Sequence, residues 1–401
     1  MWEQIRSNQI RSVILVVGMG MLLLLVGYFL GLSFFDSGVG GLAIALIIWV
    51  VMSLVGYFQG DSILLAMSRA KKISRDDHPR LYNIVEEMKI ASGLERMPNI
   101  YIIDDPALNA FATGRDPSKA SVAITSGLLQ KLNRDELQGV IAHEISHIRN
   151  RDVLLMAMCS VLLGSIVILA WYASRIMIFG GMGRSRRSSS SGGGQGQVII
   201  FIVALALMIL APILAYLIYF AISRKREYLA DASAALYTRY PEGLASALEK
   251  LGASTGQLKS ANKATAPMYI INPFRKKGRA ATNLSSTHPP ISERIRILRS
   301  MAGGASFTDY NQAYRKAHKG GGSIIPASAI ALAGAPYKAV TPEVTAKEPD
   351  RLTQTRETSD LMWRLSNYKT ITCDCGTKLR LPPKFKEPGI KCPHCGRINP
   401  V

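Results

Sequence analysis

The chain has 401 residues, 48% of them hydrophobic, with a slightly positive mean hydropathy. That is too apolar for an ordinary water-soluble protein and too polar for a polytopic transporter, so membrane segments joined to a water-facing domain are expected. A formal charge of +20 suits anionic lipid headgroups or nucleic acid. Four of the five cysteines crowd into the C-terminal end, which argues against a secreted disulfide framework and for a metal knuckle in a reducing compartment.

Four uncharged apolar stretches stand out, at 13–32, 39–58, 153–174 and 198–222. About twenty apolar residues cross a bilayer as a helix, so the expectation is four membrane helices in two hairpins. The first stretch is too long for a signal peptide and is followed at once by the second, so a retained hairpin is expected. Arg6 and Arg11 precede it, only Asp36 lies in its loop, and Arg69, Lys71, Lys72 and Arg75 follow. With Arg149 and Arg151 before the second hairpin and Arg224, Lys225 and Arg226 after it, the positive-inside rule makes both termini cytoplasmic. Arg175, Arg184, Arg186 and Arg187 run against this, in front of a Ser/Gly-rich run at 188–197 expected to be a flexible link, so either the overall bias outvotes this loop or the second hairpin does not fully cross.

Between the hairpins the pattern changes. Leu81, Ile84, Val85 and Met88 have helical spacing, while 99–103, 110–113 and 121–125 read as short strands, with a turn at 114–119. Asn133 with Glu136 three residues on predicts a capped helix running through Ile148. That helix carries His143-Glu144-Ile145-Ser146-His147. Histidines four apart share a helix face and can ligate one zinc, and Glu144 lies close enough to relay a proton. A catalytic zinc takes three protein ligands and keeps an open position, and the candidate third ligand is Glu227, whose plainer reading as an acidic residue at an amphipathic helix start the nearby HExxH outweighs. Asp231, one turn on, is placed to hold the distal nitrogen of His143.

HExxH, a long gap and then Glu-x-x-x-Asp resembles the HtpX-like membrane metallopeptidases, relatives of the CaaX prenyl proteases. Asn109-Ala110-Phe111-Ala112-Thr113-Gly114 and Thr287-His288-Pro289-Pro290 with Arg294 extend the likeness, which covers about residues 1–300. It implies a mainly α membrane protein with a zincin-type (gluzincin) α+β peptidase domain, a small sheet and four membrane helices. The implied role is cleavage of damaged or misfolded membrane proteins from the cytoplasmic side of the inner membrane. The expected division is an N-terminal membrane hairpin (1–60), a first peptidase part with the HExxH helix (61–152), a second hairpin (153–222) and a second peptidase part (223–318). His288 is a candidate for stabilising the oxyanion, or a plain helix-entry histidine before Pro289, and Arg294 for meeting a buried carboxylate or a substrate carbonyl, or for a surface helix charge. Asn109, Ala110, Phe111 and Ala112 are candidates for a strand edge that an extended peptide joins. His78 and His318, without partners in the sequence, are expected at the surface, and Cys159 as plain packing.

Residues 319–366, rich in Gly, Pro and Ala, are expected to be a flexible linker, with a short helix near 360–365. Cys373-Asp374-Cys375 and Cys392-Pro393-His394-Cys395 then predict a zinc ribbon at 367–401, a closed and therefore structural zinc site in which His394 points away. Two zinc ions per chain are expected, one catalytic and one structural. The ribbon is basic but holds few aromatics, so a protein partner or substrate recruitment is favoured over nucleic acid. A non-enzymatic membrane adaptor is the rival class, and a retained Glu144 argues against it. A CaaX-type processing protease is the narrower rival, for which four spans are too few.

Overall fold

The computed structural model describes residues 2–180, 194–254, 256, 258, 269–271, 288–301, 303–320, 322–325, 329–330, 338–340 and 349–401. Helices α1 (Trp2–Phe35) and α2 (Gly38–Met67) form a hairpin, with Ser37 capping α2 by accepting from Gly40 N. They pack backbone to backbone through small residues, since a Cβ on Gly41 would lie 2.1 Å from the Gly27 carbonyl oxygen. The second pair is α6 (Asp152–Gly180) and α7 (Gly194–Thr238), which runs unbroken from the apolar stretch into the Glu227–Asp231 segment. All four apolar stretches are thus helical. Among the described residues, two helices are long and apolar enough to cross a membrane: α2, and α6 over Asp152–Trp171. The described apolar runs of α1 and α7, Val16–Leu32 and Leu205–Ala215, fall short of that length, so the expected four spans reduce to two on this measure. The arginines at 184, 186 and 187 lie outside the described residues. Of the run at 188–197, the last four residues belong to α7 rather than to a link.

A four-stranded sheet has the order β1-β2-β4-β3, formed by β1 (Lys71–Ile73), β2 (Asn99–Ile103), β3 (Ala110–Thr113) and β4 (Ser121–Thr125). β2 and β4 are parallel, and the outer strands run antiparallel to their neighbours. The last three strands match the sequence reading; β1 was not foreseen, because three residues carry no periodic signal. Strand alternation gives the sheet two different faces. Ile100, Ile102, Ala110, Ala112, Val122 and Ile124 face the main core, made with α3 (Pro79–Ser92) and α5 (Arg134–Arg149). Ile103, Phe111 and Ala123 face the other way, onto Leu64 and Leu65 of α2 and Ala157 of α6. The sheet therefore sits between the HExxH helix and the ends of the apolar helices. α5 begins with the expected capping box, Asn133 accepting from Glu136 N and Glu136 from Asn133 N. Helix α4 (Ser126–Lys131) links β4 to it.

Beyond α8 (Pro241–Ala253), α9 (Ile291–Arg299) and α10 (Phe307–Ala317), the linker expectation fails in its last part. Residues Arg351–Leu365 form a four-turn helix, α11, capped by Asp350. Leu361 is fully buried and, with Met362, joins the main core against α4. Lys71 Nζ donates to the carbonyl of Leu365 at 2.8 Å and to Ser366 Oγ at 3.2 Å, clamping the helix end beside the root of α2. Gly and Pro in the preceding chain hid an amphipathic segment whose few apolar residues are enough to dock it. Two short hairpins follow, β5 (Lys369–Thr372) with β6 (Lys378–Leu381) and β7 (Gly389–Lys391) with β8 (Ile398–Pro400). Each cysteine knuckle closes on a glycine at positive φ, Gly376 at 83° and Gly396 at 74°, where a side chain would be strained. Asp360 of α11 pairs with Lys378 and Arg380, and the Arg380 guanidinium lies over Trp363, so the ribbon is fastened to α11 rather than trailing from it.

Candidate metal centres

α5 and α7 pack against each other and bring His143, His147 and Glu227 to one point. The Nε2 atoms of the two histidines are 3.3 Å apart, and the Glu227 oxygens lie 3.6 Å from His143 Nε2 and 3.5 Å from His147 Nε2. A tetrahedral zinc with ligands near 2.0–2.1 Å separates its ligand atoms by about 3.3–3.5 Å, so this triangle fits zinc. Each imidazole is held from behind by a carboxylate. His143 Nδ1 is 3.0 Å from Asp231 Oδ1, the partner expected from the sequence, and His147 Nδ1 is 3.2 Å from Asp152 Oδ2.

The electrostatics favour positive charge at the centre. Burial alone would lower both imidazoles. Hydrogen bonds to Asp231 and Glu227 outweigh it at His143, and bonds to Asp152 and Glu227 raise His147 to about 10. Burial would raise Glu227, yet the charge of His288 and the bonds from His143 and His147 hold its carboxyl well below the ordinary range. Glu144 goes the other way: burial lifts its pKa, and the nearby histidine charges do not cancel that rise.

The remaining residues singled out in the sequence fall into place unevenly. His288, almost buried ahead of α9, puts Nδ1 2.9 Å from Glu227 Oε2. Arg294 is completely buried beside the centre, with Nη1 3.4 Å from Glu227 Oε2. Its Nε and Nη2 donate to Asp231 at 2.8 and 2.7 Å, and Nη1 donates to the Ile270 carbonyl at 3.2 Å. It thus meets a buried carboxylate, as one of its readings had it, and is not a surface helix charge. His78 and His318 are not loose at the surface. His78 is buried and caps α3 by accepting from Leu81 N, and His318 Nε2 lies 2.6 Å from Glu293 Oε1, which also accepts from Tyr228 Oη. The side chain of Cys159 lies outside the described residues.

Strand β3 lies at the sheet edge beside α5, but the edge is not open along its whole length. Asn109 O accepts from Thr125 N, so the backbone groups of Ala110 and Ala112 point outward. Ala110 O already accepts from Ile270 N at 3.0 Å, Ala110 N donates to Asn109 Oδ1, and Asn109 Nδ2 donates to the Ile271 carbonyl. Phe111 turns to the opposite face and packs edge-on against Tyr269. Of the four residues expected to meet a peptide, Asn109, Ala110 and Phe111 are therefore committed to the chain itself. Among the described residues, Asp152 is a site residue that the sequence reading missed. Its only signal was position, an acid five residues past the second histidine that looks like an ordinary helix-start charge.

The second cluster is at the surface. Cys373 and Cys392 are buried, and Cys375 and Cys395 are exposed. The Sγ atoms pair at 3.5 Å (Cys373–Cys395) and 3.7 Å (Cys375–Cys392), and all four lie within 4.8 Å of one another. A zinc–thiolate tetrahedron with bonds near 2.3 Å has edges of about 3.8 Å, so this cluster is compatible with a closed zinc site.

The profile of peptidase family M48 matches residues 75–302, from just before α3 to just past α9, and stops short of the cysteine cluster. A protease HtpX homolog of Dictyoglomus turgidum is 47% identical over 300 residues, 75% of this chain and 94% of that protein. One from Streptococcus mutans is 45% identical over 298 residues, 74% of this chain and 99% of that protein. The crystal structure of S. mikatae Ste24p overlays with a TM-score of 0.41 at 21% identity, covering 74% of this chain and 67% of that one, too loosely to argue from. The helix bearing HExxH, the glutamate that meets it and the residue at 288 all fall within the family match, and so the chain belongs to peptidase family M48 and is a metallopeptidase.

Proposed function

We propose that the chain is a membrane-anchored zinc endopeptidase that cuts damaged or misfolded membrane proteins, with Glu144 as general base. The observation that carries this is the triangle of His143, His147 and Glu227, at zinc-ligand spacing, with the buried Glu144 on the same helix. Zinc held there would acidify a water and polarise the scissile carbonyl. Asp231 and Asp152 accept from the Nδ1 side of the imidazoles, which leaves both Nε2 lone pairs directed at the metal. Glu144, whose carboxyl burial makes more basic, takes the proton of the attacking water and delivers it to the leaving amine. On this reading His288 donates to the carbonyl oxygen as it gains charge. With Ala110 already paired to Ile270, an extended substrate joins β3 at Ala112.

The same reading has the four apolar stretches spanning an inner membrane, with the site, both termini and the ribbon in the cytoplasm; its support is the placement of Lys and Arg around them. The cysteine cluster holds a second, structural zinc, and the ribbon recruits substrate or a partner protein. Protein purified in detergent should cleave an unfolded casein-like substrate and stop when a chelator is added. Glu144→Gln should keep its zinc and lose about 10²–10⁴-fold in rate. Near-normal hydrolysis by that variant would reject the mechanism. A cysteine at position 36 should be labelled from outside intact cells, and one at 80 should be protected; the reverse pattern rejects the orientation.

A further inference from the structure

We infer that Asp152 is a positioning residue for His147 and that, with Arg226, it ties both helices of the second apolar hairpin to the catalytic metal. The inference rests on the reading of His147 as a ligand. It starts with a break in the chain. In an unbroken helix the fifth residue after His147 would lie about 140° away around the axis and face elsewhere. Here α5 stops at Arg149, and Arg151 takes a left-handed φ of 58°. That turn sends the chain into α6 with Asp152 as its first residue, folded back so that Oδ2 sits 3.2 Å from His147 Nδ1. Asp152 is completely buried, and the N-terminus of α6 favours its negative charge.

The other oxygen of Asp152 is turned to α7. Oδ1 lies 3.6 Å from Nε of Arg226, the residue immediately before Glu227. Arg226 is 3% exposed, and its guanidinium nitrogens make no hydrogen bond among the described residues. A buried cation left without a counter-charge costs several kcal/mol, so Asp152 matters to Arg226 as much as to His147. The arrangement repeats, more loosely, what backs the other histidine: Arg294 on Asp231 on His143. The difference lies in where the parts come from. Arg294 belongs to α9, within the peptidase domain, whereas Asp152 opens α6 and Arg226 belongs to α7. Any separation of α6 from α7 opens this second clamp and frees the His147 ring, so retention of the metal depends on how the hairpin packs.

The test is zinc affinity at the catalytic centre of the full-length protein, measured by competition with a chelator. Alongside it, melting of the metal-stripped protein reports on structure alone. Asp152→Asn and Asp152→Ala should weaken zinc binding about 10- to 100-fold. Arg226→Met should shift it in the same direction by a smaller factor. Asp152→Asn alone strips the buried Arg226 of its counter-charge and should also lower the melt, so the double variant Asp152→Asn/Arg226→Met separates the two effects. Metal-stripped, it should melt closer to the wild type than Asp152→Asn alone while zinc still binds about 10- to 100-fold more weakly, because a purely structural role would move melting rather than affinity. If Asp152→Ala fails to fold, the near-isosteric Asp152→Asn decides. Wild-type zinc affinity in Asp152→Asn overturns the positioning role, and wild-type affinity in Arg226→Met overturns the tie to α7. His147→Ala is the control: retention of catalytic zinc by that variant would instead sink the ligand reading beneath the inference.

Discussion

The two candidate metal clusters are built in opposite ways. The His143, His147 and Glu227 set lies deep in the molecule, its ligands come from two long helices 84 positions apart, and each histidine leans on a buried carboxylate. The four cysteines span 23 positions, two of them are exposed, and glycine turns and an exposed Asp374–Arg397 pair shape their knuckles. A site that must leave room for a substrate cannot close its own coordination shell, so it borrows rigidity from the surrounding core. A closed site can be made locally. The way each is fastened follows the same division. A fully buried Asp231–Arg294 pair supports the catalytic centre, whereas surface pairs from Asp360 hold the ribbon.

The largest effect should come from removing the ligand that joins the two helices. Glu227→Ala should lose the catalytic zinc and all hydrolysis while the ribbon keeps its metal, so that metal analysis falls from about two ions per chain to about one. Loss of both ions together would show that the clusters are not independent. Next, Arg294→Met leaves Asp231 buried without its partner and should cost about 3–5 kcal/mol, read as a lower melting temperature. An unchanged melt would mean that the buried pair does not support the centre.

A pair of truncations locates the boundary between the two regions. Ending the chain after residue 366 removes the ribbon and keeps α11. Cleavage of a small unstructured peptide should stay within about threefold of the full chain, a barrier change below about 1 kcal/mol. Ending it before residue 349 also removes Leu361 and Met362 from the main core, at about 1.5–3 kcal/mol for each buried side chain, and should lower the melting temperature clearly. Equal behaviour of the two truncations would return α11 to the status of linker. The smallest effect belongs to Asp360→Ala. Losing these partly exposed pairs should cost about 1 kcal/mol or less, visible as faster amide exchange in β6 with no change in peptide cleavage.

Much of the candidate site was legible because helical periodicity is a local rule. His143, Glu144 and His147 share a face by spacing alone, Asn133 and Glu136 announce where their helix begins, and three of the four strands show alternating apolar residues. Asp152 was hidden because its role depends on a single left-handed residue, Arg151, that turns the chain back on itself. Arg294 reads equally as a buried partner, a substrate contact or a surface charge, since nothing in its own segment says which face of α9 is covered. The open β3 edge was over-read for a similar reason: Ile270, 160 positions away, supplies the hydrogen bond that closes it at Ala110.

By itself, then, the sequence determined the elements and the candidate chemistry: apolar helices, a capped HExxH helix, a candidate third ligand one long gap away and a self-contained cysteine cluster. Spacing along one helix or around one knuckle is set by backbone geometry, which no distant residue needs to confirm. Only the tertiary structure decided what stands behind each ligand, which strand edge remains for a peptide and where the ribbon is anchored. Those depend on contacts such as Arg294 with Asp231 and Lys71 with Leu365, whose partners are separated by 63 and 294 positions. Burial of a charged side chain is decided by the whole chain packing around it, and no local pattern in the sequence records it.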